Sequence, residues 1–176
     1  MQKPARVVAL IGLALGAALG MAGTMMAAQN LRATFWAIDG VGLIVATALL
    51  AVRWFRTHND CVAAGFLVFA IGESVMLTGT AGTLSASIPS FAAGTALWSA
   101  SLLLVSLPRA MALWTRAVGV IAAILFGITA LAIFWGSTTT PLSRPLPFFA
   151  YPFLVLTLIG WIVSVLKDRE PETAAP

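Results

Sequence analysis

Six apolar runs constrain this chain more than any other feature. They lie at 7–28, 35–52, 61–84, 91–107, 117–135 and 148–166, and each ends at a charge, a proline or a polar cluster. A helix of about 20 apolar residues spans the hydrocarbon core of a bilayer. Hydrocarbon offers no water to bond the backbone, and a helix satisfies its N–H and C=O groups within one segment. A β-barrel would need alternating polarity, whereas these runs are apolar all round. A water-soluble fold is disfavoured too: 60% of the residues are hydrophobic and only 9% charged, against about 25% charged in soluble domains. A domain of this length has too much surface for its volume to hide that much apolar area. The expected fold is all-α, a polytopic bundle of six transmembrane helices forming one domain over 1–170. The charged, Pro- and Ala-containing stretch 171–176 is expected to be a frayed cytoplasmic tail.

Lysine and arginine set the expected orientation. With the N-terminus inside, the inner segments hold Lys3, Arg6, Arg53, Arg56, Arg109, Arg116, Lys167 and Arg169, and the outer loops hold only Arg32 and Arg144. This bias predicts an inner-membrane protein with both termini cytoplasmic. Trp36 and Trp135 then fall at the outer interface, and Trp54 and Trp114 at the inner one, as an aromatic belt requires. Lys3 and Arg6 ahead of an apolar stretch ending at Met25-Met26-Ala27-Ala28 also admit a cleaved signal, which would leave five passes. That run exceeds the roughly 7–15 apolar residues of a signal, so the first helix is read as retained.

Phe35, Phe91 and Phe149 open alternate runs at spacings of 56 and 58, and Arg53, Arg109 and Lys167 close them at the same spacings. Three helical hairpins related as a pseudo-repeat would produce this pattern. So would six helices of similar length with basic inner ends.

Glu73 is the leading candidate for function. It lies near the middle of the third run, where an acid costs about 2.5–3.5 kcal/mol or more on insertion scales, so it is expected to face the bundle interior. In low dielectric a carboxyl without a nearby cation favours its neutral form. Glu73 is therefore read as a proton, cation or polar-ligand site, or else as a neutral tie between helices. Asp39 is its companion, either near enough to share a proton or cation, or paired with Arg32 at the outer interface. Thr80, one heptad from Glu73, and Trp98 and Thr95 in the fourth run are possible lining. A buried tryptophan needs a partner for its indole N–H, and Ser and Thr in membrane helices usually bond back to their own backbone.

Gly65, Gly72 and Gly79 recur at sevens and predict a close-packed seam beside Glu73. Gly12, Gly16 and Gly20 form a small-xxx-small ladder suited to a helix partner, within the chain or in a second subunit.

Several chemistries have no support in the sequence. No nucleophile elbow, phosphate-binding loop or dinucleotide fingerprint is present. His58-Asn59-Asp60-Cys61 falls short of a zinc site, and with one His and one Cys in the chain it reads better as a helix cap. The basic residues do not cluster with aromatics, which argues against nucleic acid. No enzyme activity, cofactor or metal is expected. The expected partners are the lipid bilayer and, beyond it, a homo-oligomer or a larger membrane complex. The sequence points to a non-enzymatic binder or carrier of a proton, cation or small polar molecule, or alternatively to an accessory or scaffold subunit.

Overall fold

The computed structural model describes residues 1–80 and 82–167. The tail at 171–176 and Arg169 lie outside these residues. Among the described residues the chain is helical without strands, and six helices are long and apolar enough to cross a membrane: α1 (Lys3–Met25), α2 (Gln29–Arg56), α3 (Asp60–Thr80), α4 (Ile88–Ser106), α5 (Leu113–Phe134) and α6 (Phe148–Lys167).

Helix ends depart from the apolar runs for a physical reason. An apolar run marks what suits hydrocarbon, whereas a helix continues wherever its backbone bonds continue. So α2 begins at Gln29 rather than at 35 and runs on to Arg56, and α5 begins at Leu113 rather than at 117. Conversely, α3 stops at Thr80, short of 84. Two elements are irregular. α1 is interrupted by a π-helical turn at Gly16–Gly20. α6 opens with a 3₁₀ turn, Phe148–Ala150, and carries Pro152 in the first turn of the α-helix behind it, where a missing N–H costs little.

Each helix packs against its neighbours in sequence, and α1 packs against α6, so the six close into a ring. Among the described residues no helix pair across the ring comes into backbone contact. Closure is fastened at one end by Arg6, whose Nη2 donates to Leu166 O at 2.8 Å. Arg116 caps α4 there, donating from Nε to Ser106 O at 2.8 Å and from Nη2 to Leu107 O at 2.9 Å. Lys3, Arg53, Arg56, Arg109 and Lys167 share this basic end, and Arg32 and Arg144 lie at the opposite end.

Glycines set how closely the helices meet. The α1 ladder faces α2: a Cβ at Gly12 would meet Gly42 O, at Gly16 the Leu43 side chain, at Gly20 the Asp39 carboxyl, and at Gly23 the Trp36 indole. The ladder is thus engaged within the chain. The α3 seam faces α4, with Gly65 against Val105 and Leu104, Gly72 against Leu97 and Trp98, and Gly79 against Ser90 and Ser87. Gly119 of α5 sits over Ser106, and Gly160 of α6 over Thr115. Ser99 Oγ adds a bond to Ala123 O at 2.7 Å, from α4 to α5.

The seam makes a direct stability prediction. A Cβ at Gly72 would lie 2.9 Å from Leu97 Cβ and 3.1 Å from Trp98 Cδ1. Gly72→Val should destabilise the bundle by about 1–3 kcal/mol, the usual cost of overpacking. Thermal unfolding in detergent should show a midpoint several degrees lower. Gly82→Ala, whose Cβ would stand 3.4 Å from Ala86 Cβ, should leave the midpoint unchanged.

Candidate functional site

The ring encloses an axis that is filled in one half and open in the other. Toward the basic end the filling is aromatic. Trp161 of α6 meets Phe66 edge-on at 4.7 Å between ring centroids and Phe69 at 5.5 Å. Trp98 of α4 stacks on Phe69 at 5.5 Å and takes Phe126 of α5 edge-on at 5.1 Å. Above these rings lies a cavity of about 100 Å³, against the roughly 10–15 Å³ that one water needs. It reaches the loops of the end opposite the basic one, where Gln29, Arg32, Thr83 and Pro141 border it.

Asp39, Glu73, Trp98 and Tyr151 line its deeper part. Their helices bring them there. At 1.5 Å rise per residue, Asp39 stands about 25 Å above the basic end of α2, and Glu73 about 20 Å above the start of α3. The early start of α2 also sets Asp39 some 15 Å down its helix, deeper than the apolar run alone implied. The two carboxyls and the Tyr151 hydroxyl lie within electrostatic reach of one another.

Three of these groups are buried and keep a polar atom without a partner. Asp39 is 7% exposed, Glu73 4% and Trp98 5%. Asp39 Oδ1, Glu73 Oε2 and Trp98 Nε1 have no hydrogen-bond partner. Arg32 does not pair with Asp39. Its Nη1 donates to Met26 O at 3.1 Å and its guanidinium lies over the Trp36 ring at 5.7 Å. Trp36 in turn donates from Nε1 to Gly20 O at 3.3 Å, on the π turn that walls the cavity beside Asp39.

The two threonines separate. Thr80 lines the cavity, with its hydroxyl donated to Leu77 O at 2.8 Å. Thr95 does not line it: fully buried, it donates to Phe91 O at 2.8 Å and to Ala92 O at 3.1 Å, within its own helix. Spacing from Trp98 put Thr95 on the right helix, but its hydroxyl is satisfied by the preceding turn.

Sequence reasoning missed Tyr151 as a lining residue. It is the only tyrosine in the chain, which was the available signal. Its hydroxyl donates to Pro141 O at 3.2 Å and ties the 135–147 loop to the cavity. Trp36 was read only as an interfacial residue, and the π turn left no trace in the residue pattern.

At the basic end, Asn59 Oδ1 accepts the Val62 N–H at 3.3 Å and caps α3. Among the described residues no group of three or more His, Cys, Asp and Glu side chains is placed to hold a metal ion. Comparison with known protein families, with curated proteins and with solved structures finds no match for this chain.

The unpaired carboxyl of Glu73 separates a tie between helices from a binding group. An unsatisfied buried polar group costs about 1–3 kcal/mol, and an apolar side chain of similar shape removes that cost. Glu73→Met should therefore hold or raise the thermal midpoint in detergent. A lower midpoint would mean that the Glu73 carboxyl ties helices together.

Proposed function

We propose that this chain is a multi-pass protein of the inner (plasma) membrane that binds a proton, a cation or a small polar molecule at Asp39 and Glu73 and passes it across. Both termini are cytoplasmic, so the cavity opens outward, and no catalysed reaction is involved. One observation carries the reading: a cavity at membrane depth has two buried carboxyls on its wall, each with an unpaired oxygen. Ionisable residues at that depth are expensive and usually mark a pathway for ions, protons or substrates. Three more buried polar atoms without partners lie nearer the basic end, Ser101 Oγ, Trp161 Nε1 and Trp54 Nε1. They supply hydrogen-bonding groups along the inward route. Helix hairpins of a three-fold pseudo-repeat would fit the ring, since each hairpin packs on the next.

An accessory-subunit role is the alternative. Its main support in the sequence was the α1 glycine ladder, which is engaged with α2.

Two measurements test the proposal. In reconstituted vesicles, Glu73→Gln should reduce binding and flux at least tenfold, and unchanged flux would remove Glu73 from the pathway. Cys61 is exposed near the basic end, so a membrane-impermeant maleimide should label it in inverted vesicles and not in intact cells.

A further inference from the structure

The chemistry of the cavity wall distinguishes among the ligands that the proposed site would admit. Two carboxyls without a paired cation disfavour an anion, because a like charge in low dielectric is repelled strongly. An inorganic cation is served poorly. Calcium takes about 6–8 oxygen ligands and magnesium a near-octahedral set, whereas the deeper wall offers two carboxyls among indole, phenol and apolar groups. Trp36, Phe91, Trp98 and Tyr151 border the cavity, with Met21 and Met76. Aromatic and thioether groups repay the burial of a cation whose charge is spread over carbon, through cation–π attraction and dispersion. They do not replace the hydration shell of a small metal ion.

The polar atoms complement such a cation. The unpaired oxygens of Asp39 and Glu73 accept from N–H groups, and charge-assisted bonds of that kind are the strong ones. The titratable or charged groups that border the cavity are Asp39, Glu73, Tyr151 and, at the mouth, Arg32, while α1, α4 and α5 contribute none. Arg32 is about 10 Å above Asp39 along α2 and is held by Met26 O and the Trp36 ring. Arg32 is therefore a positive charge at the mouth that is bonded to the end of α1 rather than to either carboxyl.

From this complementarity we infer that the cavity is a site for a small organic cation, an amine or amidine carrying a compact apolar body. The inference rests on the proposed binding role of Asp39 and Glu73 and narrows it to one ligand class. Two carboxyls in a buried site are neutralised by protons or by a cation, so an arriving ammonium displaces protons and a departing one returns them. Binding and proton release are then two readings of one event.

The test uses the full-length protein in detergent. Benzylammonium, guanidinium and tetramethylammonium chlorides are titrated by calorimetry, with proton release followed by a pH indicator in weak buffer. Benzyl alcohol, benzoate, Na⁺ and K⁺ are the controls. The expected result is saturable binding of benzylammonium at least tenfold tighter than benzyl alcohol, with proton uptake by the solution. Asp39→Asn and Glu73→Gln should each weaken it at least tenfold, and Glu73→Asp should retain most of it. Tyr151→Phe keeps the ring while removing the bond to Pro141 O, and is the reference against which loss of the ring is read. Tyr151→Leu should lose about two- to thirtyfold, the range of a cation–π contact. Each variant is compared only where it stays monodisperse and helical.

Equal affinity for benzyl alcohol and benzylammonium would overturn the inference. So would Na⁺ or K⁺ binding that depends on Glu73 while the organic cations fail, although the broader binding role would then stand. If no cation binds and Glu73→Gln leaves flux unchanged, both readings fall.

Discussion

Neighbouring helices in this ring approach until backbone meets backbone or a short side chain, and glycine permits that approach. In lipid no hydrophobic force draws helices together, so close packing and short polar contacts must hold them. The α1 ladder lets Gly12 reach Gly42, and the α3 seam lets Gly72 reach the turn of α4 that carries Gly94 and Trp98. Tight interfaces keep the ring narrow. A narrow ring has an axis that five aromatic rings from α3, α4, α5 and α6 can close on one side. The open half of the axis is bordered by Gly16 and Gly20 on α1 and Gly79 on α3, together with the rings of Trp36, Phe91 and Tyr151.

The π turn of α1 belongs to this arrangement. A π turn widens the helix locally and leaves a carbonyl out of the regular ladder, and such turns recur at functional sites. Here Gly20 O is caught by the Trp36 indole, while the flank of Gly20 meets the Asp39 carboxyl. A single distorted turn thus positions one wall of the cavity and one of its two acids. On the neighbouring helix α6, Tyr151 touches Phe126 edge-on at 5.7 Å and holds the loop at Pro141.

The bundle was legible in the sequence because hydrocarbon imposes one rule on every residue. Apolar runs and their basic ends gave the helix count and the grouping of Lys3, Arg6, Arg53 and Lys167. The α3 seam was legible for a similar reason, since three glycines at sevens occupy one helix face whatever they pack against. Glu73 was legible as an isolated acid. Other parts of the site depend on where a side chain turns, which spacing does not encode. Thr95 has the spacing of a lining residue and spends its hydroxyl on its own helix. Arg32 has the charge to pair with Asp39 and caps α1 instead. The start of α2 was misplaced because polar residues at a helix end are invisible to a hydropathy count, and that error made Asp39 look shallower than it is.

The balance of energy at Glu73 and Asp39 is difficult to explain by architecture alone. At the centre of a helix that spans a membrane an acid costs about 2.5–3.5 kcal/mol on insertion scales, and hydrogen bonds offset part of such a cost. Asp39 Oδ1 and Glu73 Oε2 have none from the protein. The helices that carry these acids are held by glycine seams, and the Asp39 carboxyl packs on Gly20 within one of them. Each acid thus keeps one buried oxygen without a partner from the protein, at a cost of about 1–3 kcal/mol. The acids sit above the aromatic rings and below a mouth bordered by Arg32 and Pro141. Those rings meet edge to face except where Trp98 stacks on Phe69, and the next buried polar atoms without partners, Ser101 Oγ and Trp161 Nε1, lie toward the basic end.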